Sequence, residues 1–169
     1  PHAMYRVCPY GVYVPVAQYA QRRLLNFPPD GITHYRTLYD ARARETFQQA
    51  RRRYSLMGFS DVVDNLLATS YGDNALYELG NVALDRGHNL EALEYFGTVR
   101  DFFPRSELRT EELDLRISLC NKLLGAESPK PISDRKADGS LSKSQLERLR
   151  KLVADASYDP PAAWAQRTS

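Results

Sequence analysis

Residues 73–106 read DNALYELGNVALDRGHNLEALEYFGTVRDFFPRS, and this stretch decides the fold. Its apolar residues recur every three or four positions on both sides of Gly87, which is the pattern of two amphipathic helices joined by a turn. Gly80 and Ala92 stand where the two helices would cross, and a larger side chain at either position would push the helix axes apart. Pro104 ends the second helix. The stretch therefore predicts an antiparallel helical hairpin.

This hairpin resembles a tetratricopeptide repeat in length and in the order of its small and large residues. The positions that carry the resemblance are Leu76, Leu79, Gly80, Ala83, Gly87, Ala92, Phe96, Val99 and Pro104. The resemblance implies an all-α fold, a right-handed α-solenoid of antiparallel helix hairpins, with Phe96 between neighbouring hairpins. Because one hairpin cannot bury its own apolar face, residues 32–68 and 107–124 are expected to supply the neighbouring units.

The other helices are predicted from apolar periodicity and from Ser, Thr, Pro and Gly at their ends. The expected helices cover 15–26, 32–53 with Thr33 as a cap, a segment from Ser60, 73–86, 89–102, a segment from Ser106 to Gly125, and 141–156. No convincing strand is expected, although Val12-Tyr13-Val14 is β-prone. The last helix is expected either to dock on the end of the solenoid or to form only against another molecule.

The predicted organisation has five parts. They are a lead-in over 1–11 that begins with a cloning remnant, a helical domain over 12–125, a linker over 126–139, an additional helix over 140–157 and a Pro/Ala-rich tail over 158–169. This arrangement is typical of a domain cut from a longer protein.

Residues 12–104 carry a second resemblance. The matching features are Leu24-Leu25, Pro28-Pro29, Tyr35-Arg36, Tyr39-Asp40 and Ala43. They are similar to the helical segment of planctomycete-type bacterial proteins that continue into a PQQ-like or WD40-like β-propeller. The resemblance implies a scaffold of the periplasm or cell envelope without catalytic residues, while a cytoplasmic location stays open.

The net charge of +2 conceals two halves of opposite sign. Residues 1–60 carry +6, residues 61–125 carry −6 and residues 126–169 carry +2. The opposite charges of the first two segments predict head-to-tail association of copies of the chain. An alternative function is polyanion or nucleic-acid binding through Arg22, Arg23, Arg36, Arg51, Arg52 and Arg53. A solvated helix face together with a helix C-terminus, where cations are favoured, explains the same arginines better, and no aromatic RNA-binding motif accompanies them.

The resemblance also implies a binding groove. In tetratricopeptide repeats the first helix of each hairpin lines a concave groove for peptides, and the corresponding residues here are Asn74, Tyr77, Asn81, Leu84 and Asp85. Tyr77 is expected to be a rigid anchor. Asn81 stands where some relatives hold a peptide carboxylate, but the companion Lys and Arg are not evident. The alternative is that these residues pack against neighbouring helices.

Catalytic and metal-binding motifs are not evident in the sequence. It has no Walker loop, no G-x-S-x-G and no H-E-x-x-H, and neither His34 nor His88 has a histidine partner four residues on. No apolar run approaches the ~18–20 residues of a membrane span. Cys120 is expected to be a small buried hydrophobe, and a disulfide with Cys8 stays open. The sequence therefore predicts a protein- or peptide-binding scaffold with no cofactor, no metal and no enzymatic activity.

Overall fold

The computed structural model describes residues 4–6, 13–126 and 143–156. Helices dominate this part of the chain, so the predicted all-α class is confirmed. The helices are α1 (Val16–Leu25), α2 (Pro29–Arg53), α3 (Leu56–Leu66), α4 (Gly72–Asp85), α5 (Asn89–Phe102), α6 (Glu111–Leu123) and α7 (Lys143–Asp155). The chain divides into two compact units, Pro1–Leu79 and Gly80–Ser169, and α4 runs from the first into the second.

A short antiparallel ladder precedes the helices and was not expected from the sequence. Strand β1 (Met4–Arg6) pairs with strand β2 (Tyr13–Pro15), with Met4 opposite Pro15. The β-prone run thus finds its partner inside the predicted lead-in. Pro15 has no N–H to continue a ladder, and α1 begins at the next residue.

The first unit is built around the crossing of α2 and α3. Gly58 makes the close approach possible, since a Cβ added there would lie 2.6 Å from the Cβ of Ala50. Phe47 extends this core, with its ring centroid 5.6 Å from that of Phe59 and 5.8 Å from that of Tyr71. The small residues Ala50 and Gly58 therefore set the distance between α2 and α3. The aromatic rings around Phe47 fill the space beside this contact.

The structure corrects three predicted helix starts. Helix α3 begins at Leu56 rather than at Ser60, because the Ser55 hydroxyl accepts the Gly58 N–H at 3.3 Å and caps it. Helix α2 begins with Pro29 in its first turn, where proline is favoured, and the Thr33 hydroxyl donates to the Pro29 carbonyl instead of capping.

The start of α6 is the third correction. Ser106 does not cap this helix: its hydroxyl accepts the Leu108 N–H at 3.1 Å in a local turn. Helix α6 begins at Glu111, with Thr110 at the cap position. A serine that closes its own turn and a serine that caps a helix have the same pattern in sequence.

In the second unit, Gly80 and Phe96 form the contact between α4 and α5. A Cβ at Gly80 would lie 2.6 Å from the Phe96 Cε1 atom, so only glycine fits beneath this ring. Phe96 and Ala92 have no exposed surface. The reason given for a small residue at 80 is therefore confirmed, and Phe96 is seen to pack inside the hairpin that carries it.

Three helices end with the same hydrogen-bond pattern. After α4, the Gly87 N–H donates to the Leu84 carbonyl and the His88 N–H to the Ala83 carbonyl, with Gly87 at φ 74°. Helix α6 ends likewise at Gly125, with φ 70°. Helix α2 ends in this way at Tyr54, with φ 49°, although tyrosine carries the Cβ that the left-handed region disfavours.

Helix α7 docks on α6 in the second unit, which answers the question that the sequence left open. Leu146 and Leu149 are buried on its inner side. Arg150 donates to Glu111 at the start of α6 at 2.6 Å, and the Lys122 ammonium donates to the Val153 carbonyl. The additional helix is thus part of this compact unit.

Candidate interaction surfaces

The five residues implied as groove-lining share one face of α4. Their spacing places them within an arc of about 100° on the helix. Asn74, Tyr77, Asn81 and Leu84 are half-buried and Asp85 is exposed. The opposite face carries buried Leu76, Leu79 and Ala83. We call the five residues the α4 stripe. The stripe therefore lies on the side of α4 that faces away from the helix's own buried residues.

Asn81 gives the α4 stripe its most specific chemistry. Among the described residues, no donor reaches its Oδ1 atom, although that atom is buried. A buried acceptor without a donor costs about 1–3 kcal/mol, which a suitable ligand recovers. An amide oxygen accepts from N–H groups, so it suits a peptide backbone rather than a carboxylate. Asn89, at the start of α5, has a second such oxygen, which sequence analysis did not single out.

A polar joint around Gln21 was missed by the sequence analysis. The Gln21 amide group donates to the Asn65 carbonyl at 2.7 Å, and its oxygen accepts the Ala68 N–H at 3.3 Å. Its partner Tyr35 lies within hydrogen-bond distance of the same side chain, and burial raises the pKa of that phenol. Gln21 is buried, so this joint fixes α1 to the end of α3.

Two of the residues quoted for the second resemblance hold the loop after α3. Asp40 accepts both the backbone N–H and the hydroxyl of Ser70, at 2.9 and 2.8 Å. Arg36 donates to the Ala68 carbonyl at 3.3 Å. Ala68 and Thr69 are fully buried in this loop. Arg36 and Asp40 therefore hold this loop, and the Nε atom of Arg36, one of the candidate polyanion residues, is engaged there.

The six candidate arginines do not form one patch. Arg22 and Arg23 are exposed in the last turn of α1, whereas Arg51, Arg52 and Arg53 are exposed in the last turn of α2. In sequence, Arg36 lies between these two groups, on α2. It is separated from Arg51 by 15 residues of helix, a length of ~22 Å at 1.5 Å per residue. A strand of nucleic acid that contacts both residues would have to span this length.

The three arginines at the end of α2, Arg51 to Arg53, are followed closely in sequence by two exposed apolar side chains. Tyr54 is 90% exposed and Met57 is 85% exposed. We call these five residues the basic corner: Arg51, Arg52, Arg53, Tyr54 and Met57. Within the part of the chain that the structure describes, none of the three guanidinium groups takes part in an ion pair with a carboxylate.

Cys120 lies in the core of the second unit. It is a free thiol with no exposed surface, and burial raises its pKa to about 11. Its predicted role as a small buried hydrophobe is confirmed, whereas Cys8 lies outside the described residues. Among the described residues, no three His, Cys, Asp or Glu side chains converge as metal ligands would.

No helix over the described ranges is both long and apolar enough to cross a bilayer. Comparison of the chain with protein-family models, with curated proteins and with solved structures yields no match. The α4 stripe and the basic corner are therefore interpreted from their own chemistry.

Proposed function

We propose that this chain is a non-catalytic interaction module that binds an extended peptide segment of a partner protein along the α4 stripe. In this proposal the hairpins stack as a right-handed tetratricopeptide-like solenoid, which belongs to a larger bacterial scaffold protein. The observation that carries it is the buried Oδ1 atom of Asn81, which lacks a donor among the described residues.

A peptide supplies what this atom lacks. Backbone N–H groups recur along an extended strand. One of them would recover the cost of the acceptor that lacks a donor once the half-buried Asn81 side chain turns its oxygen towards the peptide. Tyr77 and Leu84, half-buried one helical turn to either side, offer apolar surface for neighbouring peptide side chains. The stripe thus combines a specific polar contact with flanking apolar contacts, as peptide grooves commonly do.

The test begins with a probe of unbiased sequence. The immobilised full chain selects binders from a phage library of random dodecapeptides, and the affinity of a synthetic selected peptide is measured by fluorescence anisotropy. We expect Asn81→Ala and Tyr77→Ala each to weaken binding about 10-fold or more. Gln48→Ala, an exposed change on α2, is the control and leaves the affinity unchanged.

Two further measurements separate the acceptor role from carboxylate capture. Asn81→Asp keeps an acceptor oxygen, so it retains binding to a backbone N–H but abolishes donation to a carboxylate. Amidation of the peptide C-terminus removes the carboxylate itself. Retained binding in both measurements supports the proposal. Selection of no peptide, or equal affinities for Asn81→Ala and wild type, contradicts it.

A further inference from the structure

The basic corner carries an inference that is independent of the α4 stripe. Its three arginines are exposed, adjacent, and without a carboxylate partner among the described residues. Adjacent like charges repel one another, and the negative end of the α2 dipole offsets this only in part. An acidic surface on another molecule would remove the repulsion.

Tyr54 adds an apolar anchor at a cost to the fold. The two other helix ends with the same hydrogen bonds have glycine at this position, whereas Tyr54 adopts φ 49° and ψ 41°. With 90% of its surface exposed, the ring gains little from this chain's own core. Met57 presents a second, flexible apolar group beside it, of the kind that adapts to a partner surface.

A complementary surface exists on the same chain. The solvent side of α5 combines acidic residues with large exposed apolar ones, and we call it the acidic face: Leu90, Glu91, Glu94, Asp101 and Phe102. Leu90 is 60% exposed and Phe102 is 41% exposed, and they lie ~18 Å apart along the helix axis. Asp101 is paired with Arg100, and Glu91 lies 3.3 Å from the His88 Nδ1 atom, whereas Glu94 has no ion-pair partner among the described residues. The carboxylates and the exposed apolar side chains of this face complement the arginines and the apolar groups of the basic corner.

We propose that the basic corner of one copy binds the acidic face of α5 on a second copy, so that the chain associates head to tail. The guanidinium groups pair with Glu91 and Glu94, while Tyr54 and Met57 cover exposed apolar surface of α5. Such an interface joins two different surfaces, so a bound pair still presents one free corner on one copy and one free acidic face on the other. The proposal uses no residue of the α4 stripe and stands or falls separately from peptide binding.

The proposal is tested by charge reversal on each surface of the full chain. The corner variant carries Arg52→Glu and Arg53→Glu, and the face variant carries Glu91→Lys and Glu94→Lys. Each variant alone presents two surfaces of like charge to its own copies. We expect wild type to associate at ~20 mM salt in sedimentation velocity, and each variant to associate at least about 10-fold more weakly.

An equimolar mixture of the two variants provides the decisive measurement. The acidic corner of one variant then meets the basic face of the other, and the basic corner of the second meets the acidic face of the first, so association is restored. The matched control, Arg22→Glu with Arg23→Glu, makes the same charge change in the last turn of another helix, α1, and keeps wild-type association. Circular dichroism melts verify that each variant is folded.

Four results would overturn the proposal. They are a monomeric wild type at low salt and high concentration, a corner variant that associates like wild type, a mixture that stays monomeric although both variants fold, and a control that is weakened as much as the corner variant. A monomeric wild type whose corner instead binds labelled single-stranded RNA, with binding lost in the corner variant, would replace self-association by polyanion binding.

Discussion

Two helical glycines, Gly80 in α4 and Gly97 in α5, differ in what a methyl group would meet. A Cβ at Gly80 would overlap the Phe96 ring, whereas a Cβ at Gly97 would have no atom within 4 Å. We expect Gly80→Ala to lower the free energy of unfolding by about 1–3 kcal/mol through overpacking. Gly97→Ala should raise it by about 0.5–1 kcal/mol, because alanine loses less entropy in a helix. Urea denaturation of both variants checks the pair, and an equal effect of the two changes would contradict the close contact.

Tyr54 is a residue at which stability and association are expected to oppose each other. Tyr54→Gly relieves the left-handed backbone strain and should raise the free energy of unfolding by about 0.5–1 kcal/mol. Tyr54→Ala keeps a Cβ and should not show this gain. The measurement is urea denaturation at high salt and low concentration, where copies are separate. In the same samples at low salt, both changes should weaken association.

Cys120 should make stability depend on alkaline pH. Burial raises the pKa of this thiol from 9.0 to about 11, so the folded chain holds the proton more tightly than the unfolded chain. The resulting stabilisation is fully present below pH 9 and is lost as the pH rises towards 11. Urea midpoints at pH 8 and pH 10.5 should therefore fall further for wild type than for Cys120→Ala. An equal decrease in the urea midpoint between the two pH values for both proteins would show that the thiol does not contribute to the pH dependence.

Small and polar residues differ in how far sequence reveals their roles. Gly80 was predictable, because the order of small and large residues that resembles a tetratricopeptide repeat implies a small residue where the two helices cross. Gly97 shows that a helical glycine alone does not indicate a close approach. Gln21 was not, because a glutamine on an amphipathic helix has the pattern of a solvated residue. Its partners are backbone groups of Asn65 and Ala68, which have no side-chain signature in the sequence. The unpaired oxygen of Asn81 was likewise hidden, although its place on the stripe was implied by the resemblance.

At the scale of elements, the Gln21 joint should hold α1 in place. Gln21→Leu leaves the buried Ala68 N–H without this acceptor, so we expect a loss of about 1–3 kcal/mol in unfolding free energy. Amide exchange at Ala68 should accelerate in the same variant, as measured by NMR. The control is Gln18→Leu, which removes one part-buried hydrogen bond to Asp64 and should cost less. Unchanged exchange at Ala68 would exclude the joint.

Helix positions were more predictable than helix starts. The bounds of α4 and α5 differ from the expected ones by at most one residue, because strong periodicity and Gly87 define both. The starts of α3 and α6 were misplaced because each lies near two hydroxyl residues able to cap: Ser55 and Ser60 at α3, and Ser106 and Thr110 at α6. The ladder of β1 with β2 escaped prediction because three-residue strands carry too little pattern.

At the scale of the whole molecule, association of the basic corner with the acidic face determines how the mean mass of the assemblies depends on concentration. Head-to-tail contacts need not close, so the mean mass of wild type should keep rising with concentration instead of reaching a dimer plateau. A small amount of the face variant should lower that mean mass, since its intact corner binds a chain end while its reversed face accepts no further copy. Light scattering measures both effects. An equal amount of the Arg22→Glu, Arg23→Glu control should leave the mass unchanged.

The first and last helices of the described chain are attached by contacts of different kinds, and temperature distinguishes those contacts. Helix α7 buries Leu146 and Leu149 and adds two polar contacts to α6, while the amide of Gln21 fastens α1. Apolar attraction fades on cooling, whereas hydrogen bonding does not weaken in the same way. Chilling towards freezing should therefore weaken the leucine contacts of the carboxyl-terminal helix and leave the amide contacts of the amino-terminal one in place.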